Sequence, residues 1–217
     1  MLKTLRKSLK KAAFHVFRRL QYGAEGADFD KNLAKLKYRG NELDVDANVR
    51  FYGPENIEVD SYTKIRSNSR IQTVDSYSLT GQKFHPKIKI GERCFIEFGV
   101  HISACYSIEI GNDVTIASGA YIADQQHRYD DPIKPVSQQP ITEKGRIHIG
   151  DGSFIGVGAC VFSNVVLGEH IVVGANSVVT KDIPPFCVVA GAPARILRHY
   201  DFQQEACIAG APASESK

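Results

Sequence analysis

Aliphatic residues recur along this chain with a period of six. They stand at Val59, Ile65 and Ile71; Ile90, Ile96 and Ile102; Ile110, Ile116 and Ile122; Ile149, Ile155 and Val161; and Leu167, Val173 and Val179. The next residue is Gly, Ser, Ala or Thr at ten of these 15 positions, Gly91, Gly111 and Gly150 among them. A helix has a period of 3.6 and a strand a period of 2, so neither produces this pattern. It predicts a solenoid in which each hexad gives one short strand and one corner, and three hexads close a triangular coil. The aliphatic residue points to the axis, and the small residue after it is expected to let the corner turn. Coils stacked at ~4.8 Å then supply the core that no single coil can bury. Five coils are clear, and a less regular entry lies around Leu43 and Val49.

The breaks in the period are as informative as the period. Between coils the regular step is six, but the steps found are 19 (Ile71 to Ile90), eight (Ile102 to Ile110), 27 (Ile122 to Ile149) and six (Val161 to Leu167). Extra segments of 13, two and 21 residues therefore leave the prism at one corner. The two long ones are two coils apart, ~10 Å along the axis, and are expected to form one wall. Ahead of the repeat, Leu2, Leu5, Leu9, Ala13, Val16, Phe17 and Leu20 recur at three- and four-residue spacing and predict a helix over residues 1–20. The organisation expected is a helix and connector over 1–42, the repeat over 43–184 with inserted loops 72–89 and 123–148, a return segment over 185–200 and a poorly ordered tail over 201–217.

Composition narrows the class. The 217 residues are 43% hydrophobic with 18 Gly and 9 Pro, which excludes collagen and disorder. No apolar run reaches the ~18 residues of a spanning helix, and no secretory leader is evident. The five cysteines form no C-x-x-C pair and fit reduced thiols in a cytoplasm. The net charge of +3 conceals an asymmetry: residues 1–20 hold seven basic residues and no acid, which leaves 20 basic against 24 acidic residues in the rest. A body carrying −4 argues against nucleic acid as partner. The basic helix has two readings: it packs on the body or a neighbouring subunit, or it lies against an anionic membrane surface.

Two stretches extend the pattern into a resemblance. The run VVTKDIPPFCVVAGAPARIL, residues 178–197, resembles the terminal-coil signature of the hexapeptide-repeat acyltransferases. The stretch ADQQHRYDDP, residues 123–132, resembles the active-site loop of their sugar O-acetyltransferase branch, which includes maltose, galactoside and colanic-acid or O-antigen type enzymes. The resemblance implies an all-β solenoid, a left-handed parallel β-helix, in a homotrimer, with acetyl-CoA as acyl donor bound between neighbouring prisms. It implies His127 as the general base, because an alcohol is a poor nucleophile while protonated and imidazole titrates near neutrality. Asp124, Gln126, Tyr129 and Asp130 around it, with Glu97 and His85, are the candidate acceptor-binding residues. Lys181 and Thr180, with Arg195 and Arg198, are the candidates for the coenzyme A phosphates; Gly156, Val157 and Ala175 are those for its pantetheine arm.

Where the maltose and galactoside branch carries Asn and Asp, this chain has Gly99 and Cys105. The acceptor expected is thus a surface-polysaccharide precursor, free or lipid-linked, handled in the cytoplasm or at the inner membrane. No two of the seven histidines lie closer than 16 residues, so no metal is expected. The rival readings are an N-acyltransferase on an amino sugar and a non-catalytic scaffold.

Overall fold

The computed structural model describes residues 32–142 and 145–210. The helix expected over 1–20 lies outside those residues. The chain winds as a left-handed parallel β-helix with three faces. The first face stacks Tyr38–Arg39, Ile57–Val59, Lys87–Ile90, Ser107–Ile110, Arg146–Ile149 and Val165–Leu167. The second runs from Asp44–Val45 through Lys64–Ile65, Phe95–Ile96, Thr115–Ile116 and Phe154–Ile155 to Val172–Val173. The third runs from Arg50–Tyr52 to Val178–Val179.

Register follows the hexads. On the second face Ile65, Ile96, Ile116, Ile155 and Val173 pair in succession, each directly above its counterpart one coil back. On the third, Ile71, Ile102, Ile122, Val161 and Val179 do the same. Every one of these side chains is 0% exposed. The entry is a sixth coil whose in-register residues are Val45 and Phe51, paired with Ile65 and Ile71, although Val49 is buried too.

Two features depart from the sequence reading. A second inward position occurs four residues after each aliphatic one of the first and second faces, at Thr63, Ser69, Cys94, Val100, Val114, Ala120, Ser153, Ala159, Ile171 and Ser177, all buried. Its hydroxyls are satisfied by the corner backbone: Thr63 Oγ1 donates to the Gly91 carbonyl at 2.8 Å and accepts from Cys94 N at 3.1 Å. The corner itself turns three residues after the aliphatic one, where the backbone is left-handed, as at Asn68, Gly99, Asp113, Gly119 and Asn176. The glycine next to the aliphatic residue has another cause. A Cβ on Gly150 would stand 2.5 Å from the backbone carbon of Gly168, and one on Gly91 2.5 Å from the Gly111 carbonyl oxygen. Those glycines let coils approach; they do not make the bend.

The C-terminal end also differs. Cys187–Gly191 extends the second face parallel to Val172–Val173, Ala194–Asp201 returns antiparallel to it, and Ala206–Ala209 adds a further antiparallel strand. Residues 201–210 are thus an ordered hairpin, not the start of a loose tail. Its turn is held by Asp201 Oδ1, which accepts from Gln203 N at 2.8 Å and Gln204 N at 3.2 Å. Phe202 packs edge-on against Phe186 and Tyr200, both at 4.9 Å between ring centres.

One strand tests the inward assignment. Ile116→Ala should cost about 2–5 kcal/mol of unfolding free energy, and Thr115→Ala, on the outer side, less than about 1 kcal/mol. Equal losses in a denaturant titration would contradict it.

Candidate active site

The 13- and 21-residue segments both leave the corner between the third and first faces, and they meet. The first forms a small hairpin, Ser76–Tyr77 against Gln82–Lys83. The second starts after Tyr121–Ala123 and rejoins the prism at Arg146–Ile149. Phe84 of the first, Ile141 of the second and Cys105 of the short insertion make a buried cluster of their own, on which Val74, Tyr77 and Tyr106 pack. The wall expected from the spacing is present.

His127 sits on this wall with its side chain exposed. Its backbone forms an antiparallel bridge with Ile141. On either side Arg128 N donates to the Pro140 carbonyl and Thr142 N to the Gln126 carbonyl, both at 2.8 Å. The imidazole lies edge-on to the Tyr77 ring, 5.2 Å between centres. An exposed imidazole on a pinned backbone can take a proton from a bound hydroxyl or amine and pass it on.

The other sequence candidates divide. Asp124 is 0% exposed, and its carboxylate accepts from Cys105 N at 2.7 Å and Tyr106 N at 2.9 Å. It is therefore the anchor that holds the short insertion of the coil below, and is not free to bind an acceptor. Burial pushes its pKa up to about 6, against the opposing pull of those backbone N–H groups. Glu97 lies on another corner, between the second and third faces, where Oε2 accepts from Ser118 N at 3.0 Å and Ser118 Oγ at 2.8 Å. Within one chain it does not stand with His127. Asp130 pairs with Arg128, which holds its carboxyl below the usual range. Gln126, Tyr129 and His85 are exposed, the first two beside His127 in its loop and the last in the first insertion. Cys105 is buried, and desolvation, then the Asp124 charge, pushes its thiol up to about 12, so it is no nucleophile.

The coenzyme A candidates occupy separate places on one chain. Thr180 and Lys181 are exposed on the corner that carries His127, two coils further on. Gly156, Val157 and Ala175 lie on the corner between the second and third faces. Arg195 and Arg198 are exposed on the return strand Ala194–Asp201. Tyr77, Gln82 and Tyr106, which build the wall, carry no periodic signal and were not legible in the sequence. Among the described residues no group of three His, Cys, Asp or Glu is placed to hold a metal ion.

The family model described as the hexapeptide repeat of succinyl-transferase matches residues 87–123 and 146–181, the third to sixth coils without the long insertions. The chain is 36% identical over 110 residues to the putative lipopolysaccharide biosynthesis O-acetyl transferase WbbJ of Escherichia coli (strain K12), covering 48% of this chain and 56% of that one. It is 33% identical over 131 residues to a serine acetyltransferase of Bacillus subtilis (strain 168), covering 59% and 54%. The chain thus spans about half the length of the curated relatives it matches. Among solved structures, AntD, an N-acyltransferase from Bacillus cereus in complex with dTDP and 3-hydroxybutyryl-CoA, superposes with a TM-score of 0.65 over 81% of this chain and 89% of that chain at 18% identity, which is a likeness of fold. This is a hexapeptide-repeat chain, and its resemblance to the hexapeptide-repeat acyltransferases stands.

The anchor can be tested by titration. The folded-state pKa of Asp124 lies above the ordinary ~3.9, so its protonated form favours the folded state. The stabilisation this brings is complete below about pH 4 and is lost as pH rises through about 6. Relative to Asp124→Asn, the native protein should lose on the order of 2 to 3 kcal/mol between those limits. A difference that stays flat across that window contradicts the raised pKa and means that the backbone N–H bonds to the carboxylate offset its burial.

Proposed function

We propose that the protein is an acetyl-CoA-dependent O-acetyltransferase that acts on a sugar hydroxyl in surface polysaccharide biosynthesis. The observation that carries this reading is the exposed His127 imidazole, held where two insertions of the prism meet. The likeness to WbbJ, whose name specifies lipopolysaccharide biosynthesis, supports the acceptor class.

The chemistry needs one proton acceptor. His127 takes the hydroxyl proton as the acceptor oxygen attacks the thioester carbonyl, and returns it to the sulfur as the carbon–sulfur bond breaks. Lys181 and Thr180 stand ~10 Å along the axis from the His127 loop, at two coil spacings. That is a suitable place for a phosphate contact of the donor, with Arg195 and Arg198 on the return strand. Gly156, Val157 and Ala175 lie on a different corner, so a cleft lined by both sets needs two chains. That requirement is the physical ground for a homotrimer here, with the 2–3 corner of one prism facing the 3–1 corner of the next. Gln126, Tyr129 and His85 remain the acceptor-side candidates. Among the described residues no helix is long and apolar enough to cross a membrane. The basic segment 1–20 would place a cytoplasmic enzyme at the inner face of the membrane, near lipid-linked saccharides.

His127→Ala should lower kcat for thiol release in the presence of acceptor by ~10²–10⁴ and leave the Kd for coenzyme A within about twofold. Retention of more than a tenth of the activity on a hydroxyl acceptor removes His127 as base; retention on an amino sugar alone points to N-acylation.

Lys181→Ala should weaken coenzyme A by the ~1.5–3 kcal/mol of one charge-assisted contact, and weaken a dephosphorylated analogue less. Equal losses for both would take Lys181 away from the phosphates.

A further inference from the structure

We propose that the first insertion is a positioning arm for the second, with Gln82 and Tyr77 as the residues that fix where His127 stands. This rests on the reading of His127 as the general base.

The side-chain amide of Gln82 pairs with Ile141 as a strand backbone would. Its Nε2 donates to the Ile141 carbonyl at 3.1 Å, and its Oε1 accepts from Ile141 N at 2.7 Å. The Ile141 N–H can only donate and its carbonyl only accept, which sets which end of the amide faces which group, and Thr80 Oγ1 donates a third bond to Oε1 at 3.0 Å. Ile141 is the same residue whose backbone bridges His127. The order is thus Gln82, Ile141, His127: an amide on one insertion clamps the segment that the His127 backbone lies against.

Tyr77 stands directly across the hairpin from Gln82 and adds two contacts. Its hydroxyl donates to the Ser137 carbonyl in the far arm of the same loop, and its ring takes the edge contact with the imidazole. Beneath both, the Ile141 side chain is buried in the cluster with Phe84 and Cys105. The hairpin that presents Gln82 and Tyr77 belongs to the second coil, whereas His127 follows the fourth. A segment inserted two coils away therefore reaches along the axis to hold this loop. Each contact is modest alone, but an imidazole must sit within a fraction of an ångström of its productive place, and a misplacement of ~1 Å can cost 10²-fold in rate. Neither residue is itself required to touch a reacting atom.

The test uses the full chain with Gln82→Met, close in volume and unable to make the amide bonds, and with Tyr77→Phe, which keeps the ring and loses the bond to Ser137. Gln82→Met should speed hydrogen exchange at the Arg128 and Thr142 amides, lower kcat for thiol release ten- to a hundred-fold, and leave the KM for acetyl-CoA within about twofold. Tyr77→Phe should shift both readouts in the same direction by less. His127→Ala is the control: it should lower kcat by ~10²–10⁴ and leave amide exchange unchanged. If His127→Ala is active, the reading of the base fails. If His127→Ala is inactive but Gln82→Met and Tyr77→Phe match the parent in kcat and exchange, the positioning arm fails.

Discussion

The vertical register of the coils is the constraint on which everything else depends. One aliphatic side chain stands directly above another at each coil step, at the spacing of hydrogen-bonded strands. A shift by one residue would turn every such side chain from the axis to the solvent. The stacking is so close at the corners that a Cβ on Gly91 or Gly150 has no room against the next turn of backbone. Extra residues can enter only where they leave the ladder and return to it in phase. The two long insertions meet that condition at a single corner, two coils apart, and so they end up in contact. The wall that carries His127 is thus a by-product of a rule that governs the core.

Polar groups serve the same register. Asp44 and Asp46 hold Arg66 across one coil step, and Asp113 takes Arg93 with two contacts across another. The Arg93 pair is half exposed and the Arg66 pairs are part-buried; such pairs near the surface contribute little stability each, but they bridge adjacent coils at the corners. Asp124 is the internal counterpart. Its buried carboxylate closes the backbone of a two-residue insertion one coil below, and His127 follows it by three residues in the loop that starts there. A carboxylate whose sequence neighbours made it an acceptor-site candidate gives the loop a fixed root instead.

The hexad frame was legible because each of its positions from Ile65 to Val179 is filled by an aliphatic residue at most 2% exposed. The second inward position was not, because Thr63, Ser69, Ser153 and Ser177 are polar and small, and their burial is allowed only by hydrogen bonds to the corner backbone. The left-handed corner at Tyr62 and Arg93 gave no signal, since those side chains rarely mark such a backbone. The last strand, Ala206–Ala209, was hidden in a tail rich in Ala, Ser, Gln and Glu; its place comes from pairing with the return strand and from the rings of Phe186, Tyr200 and Phe202 at the turn. At the site, His127 could be picked out by its loop and chemistry. Gln82 could not, because its role is to imitate backbone, and nothing in a Thr-Gly-Gln sequence announces that.

The account's central claim is that acyl transfer occurs at the corner where the two insertions meet. The most direct measurement is a structure of the full chain with coenzyme A bound. The account predicts the thiol sulfur within about 6 Å of the His127 imidazole, which leaves room for one acceptor oxygen between them, and Lys181 beside a phosphate. Coenzyme A seated with its sulfur on any other corner of the prism, remote from His127, would contradict it.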